Sequence, residues 1–326
     1  MKVMYIVNEV KPMVVEFNVK KILSVIDVVP SLKAYMEKVC ATIANHILAD
    51  FDSTQLERII VTDNFVSDVL QFQRANLDGV EGVTCNEYGK AYGKMIFVPK
   101  QKRYYIFLDA EYATFLIDDT LMGSIISSVG DELKEDILKG RNCAINLLAH
   151  ELEHFKFACS FTKPTTEKNL ESEYISFIFQ LFDEYYVTRK SLKYSPVPIF
   201  PYDEDYMAKI EEHIVANRFK YNMGEISLDE FVPLFHQYTN QALMNIAANI
   251  ALKHETGNDM VLFENCLCSN LLQELEDSFK SLFDLSENGT QPDISQELIN
   301  WINEYFSLFR VYITETPQGY RYRIPC

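Results

Sequence analysis

Two histidines and a glutamate in one short segment have the spacing of a metal site. The segment INLLAHELEHFKF, residues 145–157, contains His150, Glu151 and His154, which form the pattern H-E-x-x-H. Positions four apart lie on one face of an α-helix, so both imidazoles can reach a single ion while Glu151 lies beside it. The pattern arises by accident in at most about 2% of chains of this composition. It therefore points to a divalent metal ion, or to a buried hydrogen-bond network as the alternative.

The apolar residues around the motif favour the metal. An unpaired polar group in such a setting costs a few kcal/mol, and a metal ion with its water would give two neutral histidines and a glutamate the partners they need. We expect Zn²⁺, which at catalytic sites usually takes three protein ligands and leaves one position for water. A third ligand must therefore come from elsewhere in the chain.

The next predicted helix, LESEYISFIFQLFDEYYVTRKSL, offers two glutamates as that ligand. Glu173 and Glu184 are eleven residues apart, about three turns, so they share one face. Glu184 lies among aromatic and aliphatic residues, where a carboxylate without a partner is costly. Glu173 is closer to the helix start, where a carboxylate interacts well with the helix dipole. The residues themselves leave both candidates open.

The spacing of these motifs resembles a known class of enzymes. The segment His150 to His154 is followed by DEYYVTR (183–189), in which Glu184 lies thirty residues after His154, and this arrangement is similar to the gluzincin metallopeptidases. It also resembles the compact intracellular H-E-x-x-H proteins of bacteria and phages, including the ImmA/IrrE group. The resemblance covers residues 55–192 and implies that His150, His154 and Glu184 hold zinc and that Glu151 is the general base.

This resemblance implies a zinc-dependent metallopeptidase that hydrolyses peptide bonds in an intracellular protein or peptide. Two other interpretations stay open. The chain could be a binding or regulatory protein that keeps the fold without cleaving, or a helical structural protein in which the motif is accidental. Replacing Glu151 separates the peptidase from the non-cleaving binding or regulatory protein, since only a peptidase needs this glutamate as a base.

The order of predicted elements gives the fold class. Strands are expected in VMYIV and MVVEFNV, a helix from an N-cap at Ser31, and a strand from Arg58 to Thr62 followed by a helix capped at Asp63 or Asn64. KMIFVPKQKRYYIFLDA predicts a hairpin that turns at residues 99–102. A substrate chain could add to the sheet edge next to the metal through main-chain hydrogen bonds.

We therefore expect an α+β fold. Its zincin-like core would combine a small mixed or antiparallel sheet with the H-E-x-x-H helix and the glutamate helix, and a mostly helical C-terminal region would follow. Residues 1–54 would pack on a core of residues 55–195, and residues 196–326 would form the helical region, which ends in a hairpin. The boundary is placed at Pro196, Pro198 and Pro201, which cannot continue a helix.

Composition excludes several partners. The 326 residues carry a formal charge of −17, which argues against a nucleic-acid backbone or an anionic membrane. The chain has no basic leader followed by an apolar run, and no uninterrupted apolar stretch of about 18 residues. Its seven scattered cysteines suit reduced thiols in a cytoplasmic protein. The close pair Cys266 and Cys268 lacks the spacing of structural zinc.

Overall fold

The computed structural model describes residues 13–19, 30–79, 82–83, 85–86, 89–164, 169–197, 204–257, 263 and 266–325. The strand predicted in VMYIV lies outside these ranges, as do Pro198 and Pro201. The strands are β1 (Val15–Asn18), β2 (Leu56–Thr62), β3 (Cys85–Asn86), β4 (Gly89–Lys90), β5 (Gly93–Val98), β6 (Arg103–Asp109), β7 (Tyr312–Thr316) and β8 (Gly319–Arg323). The helices are α1 (Pro30–Ile47), α2 (Phe65–Asn76), α3 (Ala110–Ala113), α4 (Asp119–Val129), α5 (Lys134–Ser160), α6 (Leu170–Ser191), α7 (Glu204–Asn222), α8 (Leu228–Thr256), α9 (Leu272–Glu287) and α10 (Gln296–Leu308).

A small mixed sheet, in the order β1-β2-β6-β5, confirms the α+β class. Strands β1, β2 and β6 are parallel to one another, whereas β5 is antiparallel to β6. The predicted hairpin is the β5–β6 pair, with residues 99–102 as its loop. Within the described residues, β5 is therefore at one edge of this sheet.

The two faces of the sheet bury different sets of side chains. On one face, Ile60, Ile96 and Phe107 pack against Phe65 and Val69 of α2. The strands alternate their side chains, so the neighbouring residues of β5 and β6 face the other way. The Tyr104 ring lies there, 5.3 Å from the ring of Phe155 on α5. Helix α5 therefore packs against the face opposite α2.

Helix α5 is long because its apolar positions recur with the helical period. Ala144, Leu148, Leu152 and Phe155 are fully buried, and this stripe supplies most of the helix's stability in the protein. Near its start, the Arg141 side chain donates to the carbonyl of Ile117 at 2.9 Å. The motif residues thus belong to a helix whose rotation about its axis is fixed by packing.

The chain divides into two compact units, residues 1–156 with 193–199 and residues 157–192 with 200–326. The division lies inside α5, just beyond the motif. The second unit contains α6 to α10 and the hairpin β7–β8. A capping box of Ser227 and Glu230 begins α8. The described residues between 204 and 310 are mostly helical and a terminal hairpin follows, both as expected for the C-terminal region. The domain boundaries predicted from sequence stay predictions.

The start of α1 differs from the sequence-based expectation. We predicted Ser31 as the N-cap, whereas the helix begins at Pro30 and includes Ser31. A proline at the first turn is favourable because that position has no hydrogen-bond acceptor for an N–H. Asn64 precedes α2 as predicted, although its side chain makes no capping hydrogen bond.

None of the helices in the described part of the chain combines the length and apolar character needed to cross a membrane.

Glu153 of α5 generates a test of how this helix is held. Its side chain is 2% exposed and its carboxylate lies 2.8 Å from the Lys156 ammonium. Removing the cation leaves a buried carboxylate without its counter-charge, so Lys156→Met should lower the free energy of unfolding by about 3 kcal/mol. Urea unfolding followed by circular dichroism measures this loss. Lys139→Met changes an exposed lysine on the same helix and should have little effect; equal losses in the two variants would contradict the assignment.

Candidate metal centre

The structure brings His150 and His154 together on one face of α5. Their Nε2 atoms are 3.1 Å apart, and the ring planes are nearly perpendicular at 86°. Each ring thus directs the same nitrogen toward one common point. Such an arrangement can bind a cation through both nitrogens if both imidazoles are neutral.

Glu184 of α6 joins the two histidines. One ligand atom from each of the three side chains lies within 4.8 Å of the others, and no other such group of three His, Cys, Asp or Glu side chains occurs in the residues that the structure describes. His150 is buried, while His154 and Glu184 are half-buried. The sequence-predicted ligand set is therefore assembled by two helices that are consecutive in the chain.

Helix α6 is placed against the end of α5 by aromatic packing. The Phe157 ring, one turn beyond His154, lies 5.3 Å from the rings of Phe179 and Tyr186 on α6. Tyr186 is two residues beyond Glu184. These contacts fix the turn of α6 that carries Glu184 against the last turns of α5.

The donor set fits zinc. Two imidazole nitrogens on one tetrahedral zinc, each at 2.0–2.1 Å, are roughly 3.3 Å apart, close to the observed 3.1 Å. Two histidines and a glutamate are one of the common catalytic zinc sets. Burial, and secondarily the neighbouring His154, lowers the pKa of His150 well below its ordinary value. The imidazole is thus held in the neutral form that a metal requires.

Glu173, the alternative ligand from sequence, has a different partner. The Tyr320 hydroxyl of β8 donates to its carboxylate at 2.6 Å, and the neighbouring Glu315 accepts from the Leu170 backbone N–H at 3.1 Å. Glu173 thus helps to hold the terminal hairpin at the start of α6. It does not belong to the group of possible ligands.

Glu151, the predicted base, is only 6% exposed and lies against the first residue of the edge strand. A Cβ added to Gly93 would be 2.7 Å from Cγ and from Cδ of Glu151, and closer still to Oε1. The main chain of β5 is thus in contact with the carboxyl group. Sequence reasoning missed Gly93; a glycine at a strand position, which often marks a close approach, was the available signal.

Glu153, the second glutamate between the two histidines, makes a separate contact. Lys156 pairs with the buried Glu153, and its ammonium also approaches the hydroxyl of Tyr194 at 3.4 Å. Glu153 is thus neutralised by a neighbour one turn away. It supports the helix through an ion pair and leaves the histidine face to the other residues.

Four tyrosine and histidine side chains of the helices in the second unit have partners within that unit. The Tyr185 hydroxyl is 2.6 Å from Nδ1 of His254, and Tyr186 donates to Glu287 at 2.7 Å. His236 is paired with the Tyr322 hydroxyl at 2.8 Å, and the His213 ring packs on Tyr238. These contacts give all four residues structural roles.

A polar network holds α6 at the turn that carries Glu184. Arg189 donates to the Tyr185 hydroxyl at 3.0 Å, while Glu276 lies 2.9 Å from Nε2 of His254. Burial raises the pKa of Tyr185 to about 12, so this hydroxyl keeps its proton. The network links α6 to α8 and α9 and so fixes the rotation of α6 about its axis.

The cysteine pair contributes to packing. Cys266 and Cys268 are buried and reduced, and Glu211 accepts from the backbone N–H of Leu267 at 2.6 Å. Neither thiol joins a group of possible metal ligands in the described part of the chain.

Comparison of the chain with known proteins gave no match to a family model, a curated protein or a solved structure.

The two glutamates of α6 offer a direct test of the metal centre. We expect Glu184→Gln to weaken zinc binding by more than the roughly 10–100-fold typical of residues that only support a ligand, and His154→Ala to remove stoichiometric zinc. Glu173→Gln should bind zinc as the wild type does, since its amide oxygen can still accept from Tyr320. Elemental mass spectrometry and competition with a chromophoric chelator measure both effects.

The matched pair also defines the contrary result. Weaker zinc binding in Glu173→Gln than in Glu184→Gln would make Glu173 the third ligand in place of Glu184. A wild-type protein that binds no zinc when zinc is supplied would show that the proposed metal site is wrong.

Proposed function

We propose that this protein is a zinc-dependent metallopeptidase that hydrolyses peptide bonds in a protein or peptide substrate. The observation that carries the proposal is the His150–His154 pair, with Nε2 atoms 3.1 Å apart, together with Glu184 in the same group and Glu151 between the histidines in sequence. The same constellation of residue types at this spacing is the basis of the gluzincin resemblance.

His150, His154 and Glu184 would hold the ion. A zinc ion in such a site polarises water and the substrate carbonyl and lowers the pKa of the water toward neutrality. His150 and His154 would be presented by the packed C-terminal half of α5. Glu184 would be presented by α6, in which the adjacent Tyr185 is bonded to His254 and Arg189. The chain would thus supply three protein ligands, and catalytic zinc with three protein ligands takes water at its fourth position.

Glu151 would move the proton. Its carboxylate accepts a proton from the attacking water and returns it to the amine that leaves when the peptide bond breaks, so that proton balance is restored at the end of the reaction. Burial of Glu151 excludes bulk water from this transfer and strengthens its electrostatic interactions.

The edge strand would hold the substrate. A polypeptide that adds to β5 makes main-chain hydrogen bonds that do not depend on its side chains. The start of β5 is in contact with Glu151, so a chain bound along this edge passes the proposed base. This arrangement suits a peptide bond as the group to be attacked.

Glu151→Gln tests the catalytic proposal. The amide is nearly isosteric with the carboxylate but cannot accept the proton, so we expect peptide cleavage to fall by about 10²–10⁴-fold while zinc stays bound. The assay follows a quenched-fluorescent library of randomised peptides incubated with zinc-loaded protein. Glu171→Gln, an exposed glutamate at the start of α6, is the control and should cleave as the wild type does.

The alternative function predicts another pattern. A binding or regulatory protein that keeps the metal would show no cleavage in the wild type, and Glu151→Gln would leave its zinc content unchanged. Equal cleavage by the wild type and by Glu151→Gln would remove the glutamate from the mechanism.

A further inference from the structure

The close contact between Gly93 and Glu151 is possible because Gly93 has no side chain. The backbone of Gly93 is outside the left-handed region, where glycine would be favoured for its conformation alone. An added Cβ would nevertheless lie 2.7 Å from two carbon atoms of Glu151, a separation that real Cβ atoms essentially never show. The absent side chain therefore allows the strand to lie directly against the carboxyl group.

The same residue directs its main chain toward the side of β5 on which no further strand lies among the described residues. The Asp109 N–H donates to the Tyr92 carbonyl at 2.7 Å, and Gly93 is opposite Leu108 in the antiparallel register. In such a ladder, directly hydrogen-bonded pairs alternate with pairs that are not. Tyr92 and Lys94 thus point their main-chain groups at β6, while Gly93, Met95 and Phe97 point theirs outward.

Gly93 thus combines two features, a close contact with Glu151 and main-chain groups that point outward, and a residue with a side chain would lose the first. The backbone of Gly93 lies against Glu151, and its N–H and C=O point to where a substrate strand would pair. We propose that Gly93 is a positioning residue, which orients the Glu151 carboxylate and sets the substrate register so that the bond to be cut lies beside Gly93. This inference rests on the proposed peptidase function.

The side-chain direction of β5 supports this assignment. Residues 93, 95 and 97 share one face of the strand, and the Phe97 ring lies 4.7 Å from the Tyr104 ring, which faces α5. Gly93 is therefore on the face of the sheet that carries the motif helix. Glu151 is 6% exposed, so a carboxyl group displaced by a methyl must disturb packed neighbours.

Gly93→Ala would test the proposal through catalysis. Displacement of a reacting group by about 1 Å can cost 10²-fold in rate, so we expect kcat to fall by about 100-fold while KM and zinc content change little. The substrate is the member of the peptide library that the wild type cleaves fastest. Gly79→Ala is the matched control because a Cβ there meets no atom within 4 Å.

A second variant separates positioning from damage to the fold. Asp lacks one methylene of Glu, so Glu151→Asp withdraws the carboxyl group from the added methyl. The double variant Gly93→Ala/Glu151→Asp should be no slower than Glu151→Asp alone, a strongly non-additive result. Independent losses that multiply would overturn the inference.

A measurement without metal or substrate tests the contact itself. In metal-free protein, Gly93→Ala should lower the melting temperature in the wild-type background and have much less effect in Glu151→Ala, where the clashing atoms are absent. Equal losses of melting temperature in both backgrounds would show that the Gly93–Glu151 contact does not cause the destabilisation.

The outcomes separate this inference from the proposed function. If Gly93→Ala keeps the wild-type kcat, or loses zinc together with activity, the positioning role is wrong even though the peptidase stands. If Glu151→Gln cleaves like the wild type, the peptidase mechanism fails and the positioning role fails with it, whereas the melting-temperature coupling still reports the contact.

Discussion

The candidate site depends on one constraint, the burial of polar side chains on an otherwise apolar helix. Helix α5 packs on the sheet through Phe155, whose ring lies 5.3 Å from that of Tyr104, and its residues Leu148 and Leu152 are fully buried. His150 and Glu151 belong to the same packed stretch and are themselves buried, so bulk water has little access to them. Taking a polar group out of water costs roughly 1–3 kcal/mol unless another partner replaces the water. A cation that accepts the lone pairs of both imidazoles supplies such a partner, and the helix then forms part of a preorganised site.

Two neighbouring elements give the motif helix different kinds of support. On the sheet side, β5 places backbone against Glu151, where a side chain would not fit. Helix α6 carries Glu184 on a turn that is anchored by Tyr185, His254 and Arg189. The first contact concerns the proposed base and the second concerns a proposed ligand. A mutation in one element is therefore expected to affect proton transfer, and one in the other to affect metal affinity.

Much of the local structure follows from short-range patterns in the sequence. The i, i+4 spacing of His150 and His154 is enough to place both rings on one face, and the run of β-branched and aromatic residues around the loop at 99–102 predicts the β5–β6 hairpin. The helical period likewise predicts α5 and α6. These features depend on residues close together in the chain, and local propensity and hydrophobic period determine them.

Features that the sequence left open depend on long-range contacts. Glu173 and Glu184 share a helix face by spacing, and only the bond of Glu173 to Tyr320, 147 residues away, shows that it serves the terminal hairpin. Gly93 and Glu151 are likewise far apart in sequence, so no local pattern links them. The start of α1 was misplaced for a different reason, because serine before an apolar period resembles an N-cap while the preceding proline already fits the first turn. A substrate that pairs with β5, as proposed, would make main-chain hydrogen bonds that are indifferent to its side chains. Selectivity would then have to come from exposed side chains of β5 such as Phe97, which is 39% exposed. A large apolar group there would distinguish substrates by the shape and polarity of one residue, while the backbone ladder would keep the reacting bond in register.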